Sequence, residues 1–124
     1  MKILIAEDEP LILMAVQRHL SNEGHDVMVT ADGREALQAL ENHEVDLIIT
    51  DILMPFTSGL ELIGIVKSDL KKNIPILVLS GLGQESTVME AFKLGADDFL
   101  TKPFNPSELS MRVKRLLKLY SPKS

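Results

Sequence analysis

The sequence predicts an α/β fold: a doubly wound, five-stranded parallel sheet of order 2-1-3-4-5 with five helices on its two faces. Three observations predict it. Five short apolar runs, rich in Ile, Val and Leu, lack the polar alternation of half-exposed strands and read as strands covered on both sides. Longer stretches of helical spacing separate them, and regular alternation of strand and helix implies parallel pairing through right-handed crossovers. The 124 residues are 45% hydrophobic and 25% charged, which suits one soluble domain able to bury a core without staples.

The first strand is predicted over 3–6. A helix follows from Pro10, a residue suited to a first turn, with Glu9 as its cap. Leu13, Val16 and Leu20 lie on one face of that helix, and Gly24 stops it. The second strand covers 27–30. Asp32 with Glu35 then has the spacing of an N-cap and its reciprocal partner, as do Ser58 with Glu61 and Asn105 with Glu108. The third strand covers 47–50 and the fourth 76–79. The next helix carries Val88, Met89 and Phe92 and ends at Gly95, and a brief fifth strand is centred on Phe99 and Leu100. The last helix starts after Asn105 with Pro106 at its first position, and Met111, Leu116 and Leu117 supply its apolar positions. Of the two common doubly wound orders, the flavodoxin-like one matches a five-strand count. The domain is expected over 1–120, with 121–124 as a C-terminal tail or linker stump.

Thirteen Lys and Arg against eighteen Asp and Glu give a net charge of −5. That argues against direct nucleic-acid binding by this domain, which would show a basic excess on one face. No apolar stretch reaches the length of a membrane span, and the N-terminal apolar run meets Glu7 and Asp8 too soon for a signal peptide. A soluble cytoplasmic domain is the expectation. The absence of cysteine excludes disulfides, thiolate metal sites and thiol nucleophiles.

In an open parallel sheet, ligands bind beyond the carboxyl ends of the strands, where the strand order reverses. The residues expected just past those ends are Glu7 and Asp8, Asp51, Ser80, and Thr101 with Lys102. Carboxylates sharing a small site repel one another unless a cation joins them, and an all-oxygen set suits Mg²⁺. Taken singly, each acid is equally well a solvated loop residue or a cap, Lys102 a surface lysine and Ser80 a turn residue. Their joint placement favours a site. Asp51, at the mouth of the most apolar strand, can attack phosphorus to form an acyl phosphate if Mg²⁺, Lys102 and Ser80 neutralise the phosphoryl oxygens.

Glu7-Asp8, Asp51 within Asp51-Ile52-Leu53-Met54-Pro55, Ser80, and the run from Gly95 to Phe104 through Thr101-Lys102-Pro103 together resemble the receiver domain of bacterial two-component response regulators. The resemblance covers essentially the whole chain. It implies that Asp51 accepts a phosphoryl group from a phosphohistidine on a histidine kinase or phosphotransfer protein. It implies Mg²⁺ (or Mn²⁺) held by Asp8, by Glu7 mainly through water, by Asp51 and by the backbone carbonyl of Leu53. Lys102 would hold a phosphoryl oxygen, with Ser80 and Phe99 as the switch pair and a cis peptide before Pro103. The output face would be helix four, strand five and helix five, acting on an output partner or an effector domain missing from this chain. The same face offers a route to a dimer.

Departures from the family pattern are few. Phe56 puts an aromatic near the site, and Phe99 stands where tyrosine is common. Leu53 and Leu82, two residues after Asp51 and Ser80, offer no group to orient a hydrolytic water, so slow autodephosphorylation is expected. An Asp-nucleophile phosphatase of the haloacid-dehalogenase type would want an aspartate where Leu53 stands. Gly81-Leu82-Gly83 reads as a loop, since Ser86 fills the third glycine position of a dinucleotide motif. An inactive pseudo-receiver would have lost one of the chemical residues. His19, His25 and His43 read as surface histidines, Met14, Met28, Met54, Met89 and Met111 as core or packing residues, and the basic last helix as a solvated face complementing its dipole.

Overall fold

The structure is a computed structural model describing residues 1–54, 57–81 and 85–120. Its strands are β1 (Lys2–Ala6), β2 (Asp26–Thr30), β3 (Leu47–Thr50), β4 (Ile76–Ser80) and β5 (Asp98–Thr101). They pair in parallel in the order β2-β1-β3-β4-β5, as expected. Four of the strands extend past the apolar runs, at β1, β2 and β5 by a charged first residue whose backbone still pairs. Ser80 and Thr101 therefore end their strands, in register with each other, and do not follow them.

The helices are α1 (Pro10–Asn22), α2 (Gly33–Asn42), α3 (Gly59–Gly64), α4 (Glu85–Leu94) and α5 (Pro106–Tyr120), and α3 runs on into a π-helical segment, Ile65–Asp69. Two cores lie on opposite faces of the sheet. On one face Val16 and Leu20 of α1 and Leu109, Val113, Leu116 and Leu117 of α5 pack with Ile3, Ile5, Ile49 and Leu79. On the other, Ala36, Leu40, Leu62, Ile63 and Ala91 pack against Leu4, Ile48, Ile76 and Val78. Alternate strand residues thus serve opposite cores, which is why the runs show no polar period.

The caps follow the sequence with two changes. Asp32 accepts from Glu35 N at 2.8 Å, and Ser58 with Glu61 forms a full capping box. Asn105 caps by accepting from Ser107 N at 2.8 Å, whereas Glu108 turns to Arg112 at 3.1 Å and not back to the cap. Glu9 occupies the N-cap position of α1, but its side chain makes no cap bond. Gly24 at φ +94° and Gly95 at φ +119° follow the ends of α1 and α4.

Other assignments are corrected by packing. Met14, Met89, Phe92 and Met111 are exposed on outer helix faces, whereas Met28 and Met54 pack against the core. His19 is not a free surface residue. Its Nε2 lies 2.6 Å from Ser110 Oγ, which donates to Glu23 Oε2 at 2.8 Å, joining α1 to α5. His25 is half-buried, with burial and then the N-terminal amine lowering its pKa. His43 is exposed. Arg112 of the basic helix is held by Asp98 of β5 at 2.7 Å, so it is a tether within the molecule as well as a surface charge.

Candidate functional site

The end of β1 delivers Glu7 and Asp8, and the end of β3 delivers Asp51, because these strands are direct neighbours in register. Glu7 N bonds Thr30 O at 3.1 Å and Asp51 N bonds Ala6 O at 3.0 Å, so both acids are pinned by backbone before their side chains are placed. Carboxylate oxygens of Glu7, Asp8 and Asp51 lie within 4.8 Å of one another. Glu7 and Asp51 are buried and Asp8 is exposed.

Lys102, from the turn after β5, closes the cluster. Its Nζ lies 2.6 Å from Glu7 Oε1 and donates to Asp51 Oδ2 at 3.0 Å. Glu9 Oε1 is 3.5 Å away. The second oxygen of Asp51, Oδ1, accepts from Ile52 N at 2.7 Å. Burial pushes the Glu7 carboxyl above its ordinary value, against the lowering pull of Lys102 and the Glu9 amide, and Asp51 pushes it further. Burial also works to lower the Lys102 ammonium, but hydrogen bonds and charge from Glu7 and Asp51 outweigh it and raise the group overall. The ammonium is therefore a fixed positive charge at neutral pH. Lys102 is thus no surface lysine: its side chain is only 10% exposed.

Ser80 ends β4 fully buried, and its carbonyl accepts from Lys102 N at 2.9 Å. That bond ties the hydroxyl-bearing strand end to the lysine. The peptide between Lys102 and Pro103 is cis, as expected. Phe99 is half-buried and packs against the core to which Ala91 of α4 also contributes. Ser80, Asp8, Asp51, Lys102 and Leu53 share one cleft of about 610 Å³, with Leu53 63% exposed at its rim. Phe56, Leu82 and Gly83 lie outside the described residues.

Two glycines shape the loop beyond Asp51. A Cβ on Gly59 would sit 1.9 Å from Asp51 O, and one on Gly33 would sit 2.1 Å from Thr57 O. Only residues without a side chain allow the α3 and α2 starts to press on this loop. Neither close approach follows from local sequence spacing, because each is made to a residue on another segment of the fold.

All the donors in the cluster are oxygens, two of the three carboxylates are buried, and a single ammonium stands against them. The set fits a hard divalent cation such as Mg²⁺ and gives no place to a soft one. A cation there would offset the repulsion that burial amplifies. Among the described residues this is the one group of three acids able to hold a metal, and no helix is long and apolar enough to cross a membrane.

Similarity to known proteins identifies the family. Residues 3–114 match the response regulator receiver domain family. The chain is 40% identical over 119 residues to the regulatory protein VanR of Enterococcus faecium, covering 96% of this chain and 51% of that protein. It is 38% identical over 117 residues to the alkaline phosphatase synthesis transcriptional regulatory protein PhoP of Bacillus subtilis, covering 94% of this chain and 48% of that one. The chain thus spans about half the length of these curated relatives. The receiver domain of the Francisella response regulator 1452 superposes with a TM-score of 0.90 at 36% identity, covering 95% of this chain and 97% of that one. With the motif residues gathered at one sheet edge and the match running from β1 into α5, the chain belongs to the response regulator receiver domain family.

Proposed function

We propose that residues 1–120 form a phosphoacceptor switch in which Asp51 takes a phosphoryl group from a phosphohistidine on a histidine kinase or histidine phosphotransfer protein. One observation carries the reading: Lys102 Nζ pairs with Asp51 Oδ2 inside a carboxylate cluster that opens to a cleft. An Asp51 oxygen forms the new O–P bond as the P–N bond breaks, and the departing imidazole nitrogen keeps the electron pair and is protonated. Lys102 Nζ, 3.0 Å from Asp51 Oδ2, would exchange that carboxylate contact for one to a phosphoryl oxygen. Asp8, Asp51, Glu7 through water and the Leu53 carbonyl would hold Mg²⁺ or Mn²⁺, which when bound supplies positive charge to the phosphoryl oxygens.

Ser80 and Phe99 act as the switch pair in this reading. A phosphoryl group at Asp51 gives the Ser80 hydroxyl a strong acceptor, and movement at the end of β4 frees space for the Phe99 ring. The output is the α4, β5 and α5 surface, where Met89, Phe92 and Leu119 are exposed. The chain spans about half the length of these curated relatives, and the output is read by an effector domain or by a separate output partner, with dimerisation through the same face. Nucleic-acid binding then belongs to that effector and not to this acidic domain, and a cytoplasmic setting follows from the donor.

The test is incubation with acetyl phosphate, with and without Mg²⁺, for the wild type and Asp51→Asn, read by intact mass. Mg²⁺-dependent gain of one phosphoryl group in the wild type alone is expected. Equal labelling of the variant would remove Asp51 from its role.

A further inference from the structure

Among the described residues, Glu9 is the one charged side chain lining the cleft that neither the fold nor the proposed chemistry uses. It stands at the N-cap of α1 with extended backbone, yet its side chain caps nothing. Only its backbone is engaged: Glu9 N donates to Glu7 Oε2 at 3.2 Å and Glu9 O accepts the first helical bond from Leu13 N at 3.0 Å. The carboxylate is 62% exposed, lines the mouth of the cleft and comes within 3.5 Å of Lys102 Nζ. Lys102 gains little from it, because Glu7 and Asp51 are both closer. What the side chain does supply is a negative charge where a donor must enter to reach Asp51.

We infer that Glu9 is a specificity-determining residue that selects phosphodonors by charge, disfavouring dianionic donors relative to those whose leaving group is a protonated nitrogen. The inference rests on the phosphoacceptor reading above. An acyl phosphate approaches with two negative charges and leaves as a carboxylate. A P–N donor carries a proton on the leaving nitrogen, so its net charge is lower and its leaving group is one that Glu9 attracts. Across a solvated cleft mouth, one unit of donor charge is worth about threefold in rate at low ionic strength, and about 1 M salt removes most of that. Glu9 would thus favour phosphohistidine over small acyl phosphates without touching the phosphorus.

The experiment compares initial phosphorylation rates with acetyl phosphate and with phosphoramidate for the wild type, Glu9→Gln and Glu9→Lys, at low salt and at about 1 M salt. Mg²⁺ affinity of each protein is measured by calorimetry, and folding by thermal melting. The expected result is that Glu9→Gln raises the acetyl phosphate to phosphoramidate rate ratio about threefold at low salt, Glu9→Lys raises it further, and high salt collapses the differences. Mg²⁺ affinity changing too little to account for the ratio is part of that expectation. An unchanged ratio, an equal change with both donors, or a shift that follows Mg²⁺ affinity would overturn the inference. If the wild type takes up no phosphoryl group from either donor, the phosphoacceptor reading falls and this inference with it. If it does and the ratio stays fixed, only the role of Glu9 falls.

Discussion

Tyr120 closes α5 on a three-way anchor whose strength can be read from a single chromophore. Its hydroxyl donates to Asp97 Oδ1. The other oxygen of Asp97 accepts from Ile76 N at 2.8 Å and from Lys67 Nζ at 3.1 Å, and that ammonium lies 5.5 Å from the Tyr120 ring centroid. One carboxylate thus joins the end of α5, the start of β4 and the π-helical segment after α3. The hydrogen bond to Asp97, then burial, then the charge of Asp97 push the phenol up to about 12. An unfolded tyrosine titrates near 10. Because the folded value is the higher one, the stabilisation is complete below about pH 10 and is lost as pH rises towards 12. A shift of two units would be about 2.7 kcal/mol in full, but solvent around the ring reduces the expected contribution to about 1 kcal/mol. At neutral pH, where the phenol is un-ionised, Tyr120→Phe removes the hydroxyl that donates to Asp97 and should cost about 1–2 kcal/mol, a melting shift of roughly 4–8 °C. The chain has one tyrosine and no tryptophan, so tyrosinate absorbance reports this group alone. The folded protein should titrate near 12 and Asp97→Asn markedly lower, with the urea-unfolded chain near 10. A folded midpoint at the unfolded value, or a Tyr120→Phe variant as stable as the wild type, would refute the anchor.

Further outcomes follow from the site. Gly59→Ala places a Cβ 1.9 Å from Asp51 O, so it should destabilise by about 3 kcal/mol or more in urea and displace Asp51 enough to slow its phosphorylation. The Glu7 carboxyl is raised mainly by burial, so its ionisation opposes folding as pH rises through the raised value. Metal-free Glu7→Gln should match or exceed the wild-type melting temperature at pH 7, while gaining less from added Mg²⁺; a large loss of stability without metal would contradict this. With apolar residues at Leu53 and Leu82, the phosphorylated protein with Mg²⁺ should persist well beyond seconds, and decay within seconds of donor removal would sink that expectation.

Much of the architecture was legible because each clue is local. An unbroken apolar run such as Leu47–Thr50 can satisfy its environment only with both faces covered, and all four residues are buried. The box of Ser58 and Glu61 needs only three-residue spacing, so it could be read directly. Asn105 and Glu108 share that spacing, but Arg112 one turn on competes for the glutamate and wins. Apolar identity misled at Met14, Met89 and Met111, because a helix buries one stripe and leaves the rest to solvent. His19 and Ser110 are 91 residues apart, and no local pattern relates them.

By itself the sequence determined the strand and helix order, the doubly wound sheet, and the identities of Glu7, Asp8, Asp51, Ser80 and Lys102 at one sheet edge. Those follow from period, caps and the rule that ligands gather beyond strand ends, all of which act over a few residues. The tertiary structure decided which of those groups touch and what they do to one another. It placed Lys102 between Glu7 and Asp51, turned Glu9 from a cap into a charge at the cleft mouth, made Gly59 obligatory beneath Asp51, and tied Tyr120 to Asp97. The physical reason is that steric contact acts over a few ångströms and charge over about ten, while the partners are set by register and helix packing across the whole chain.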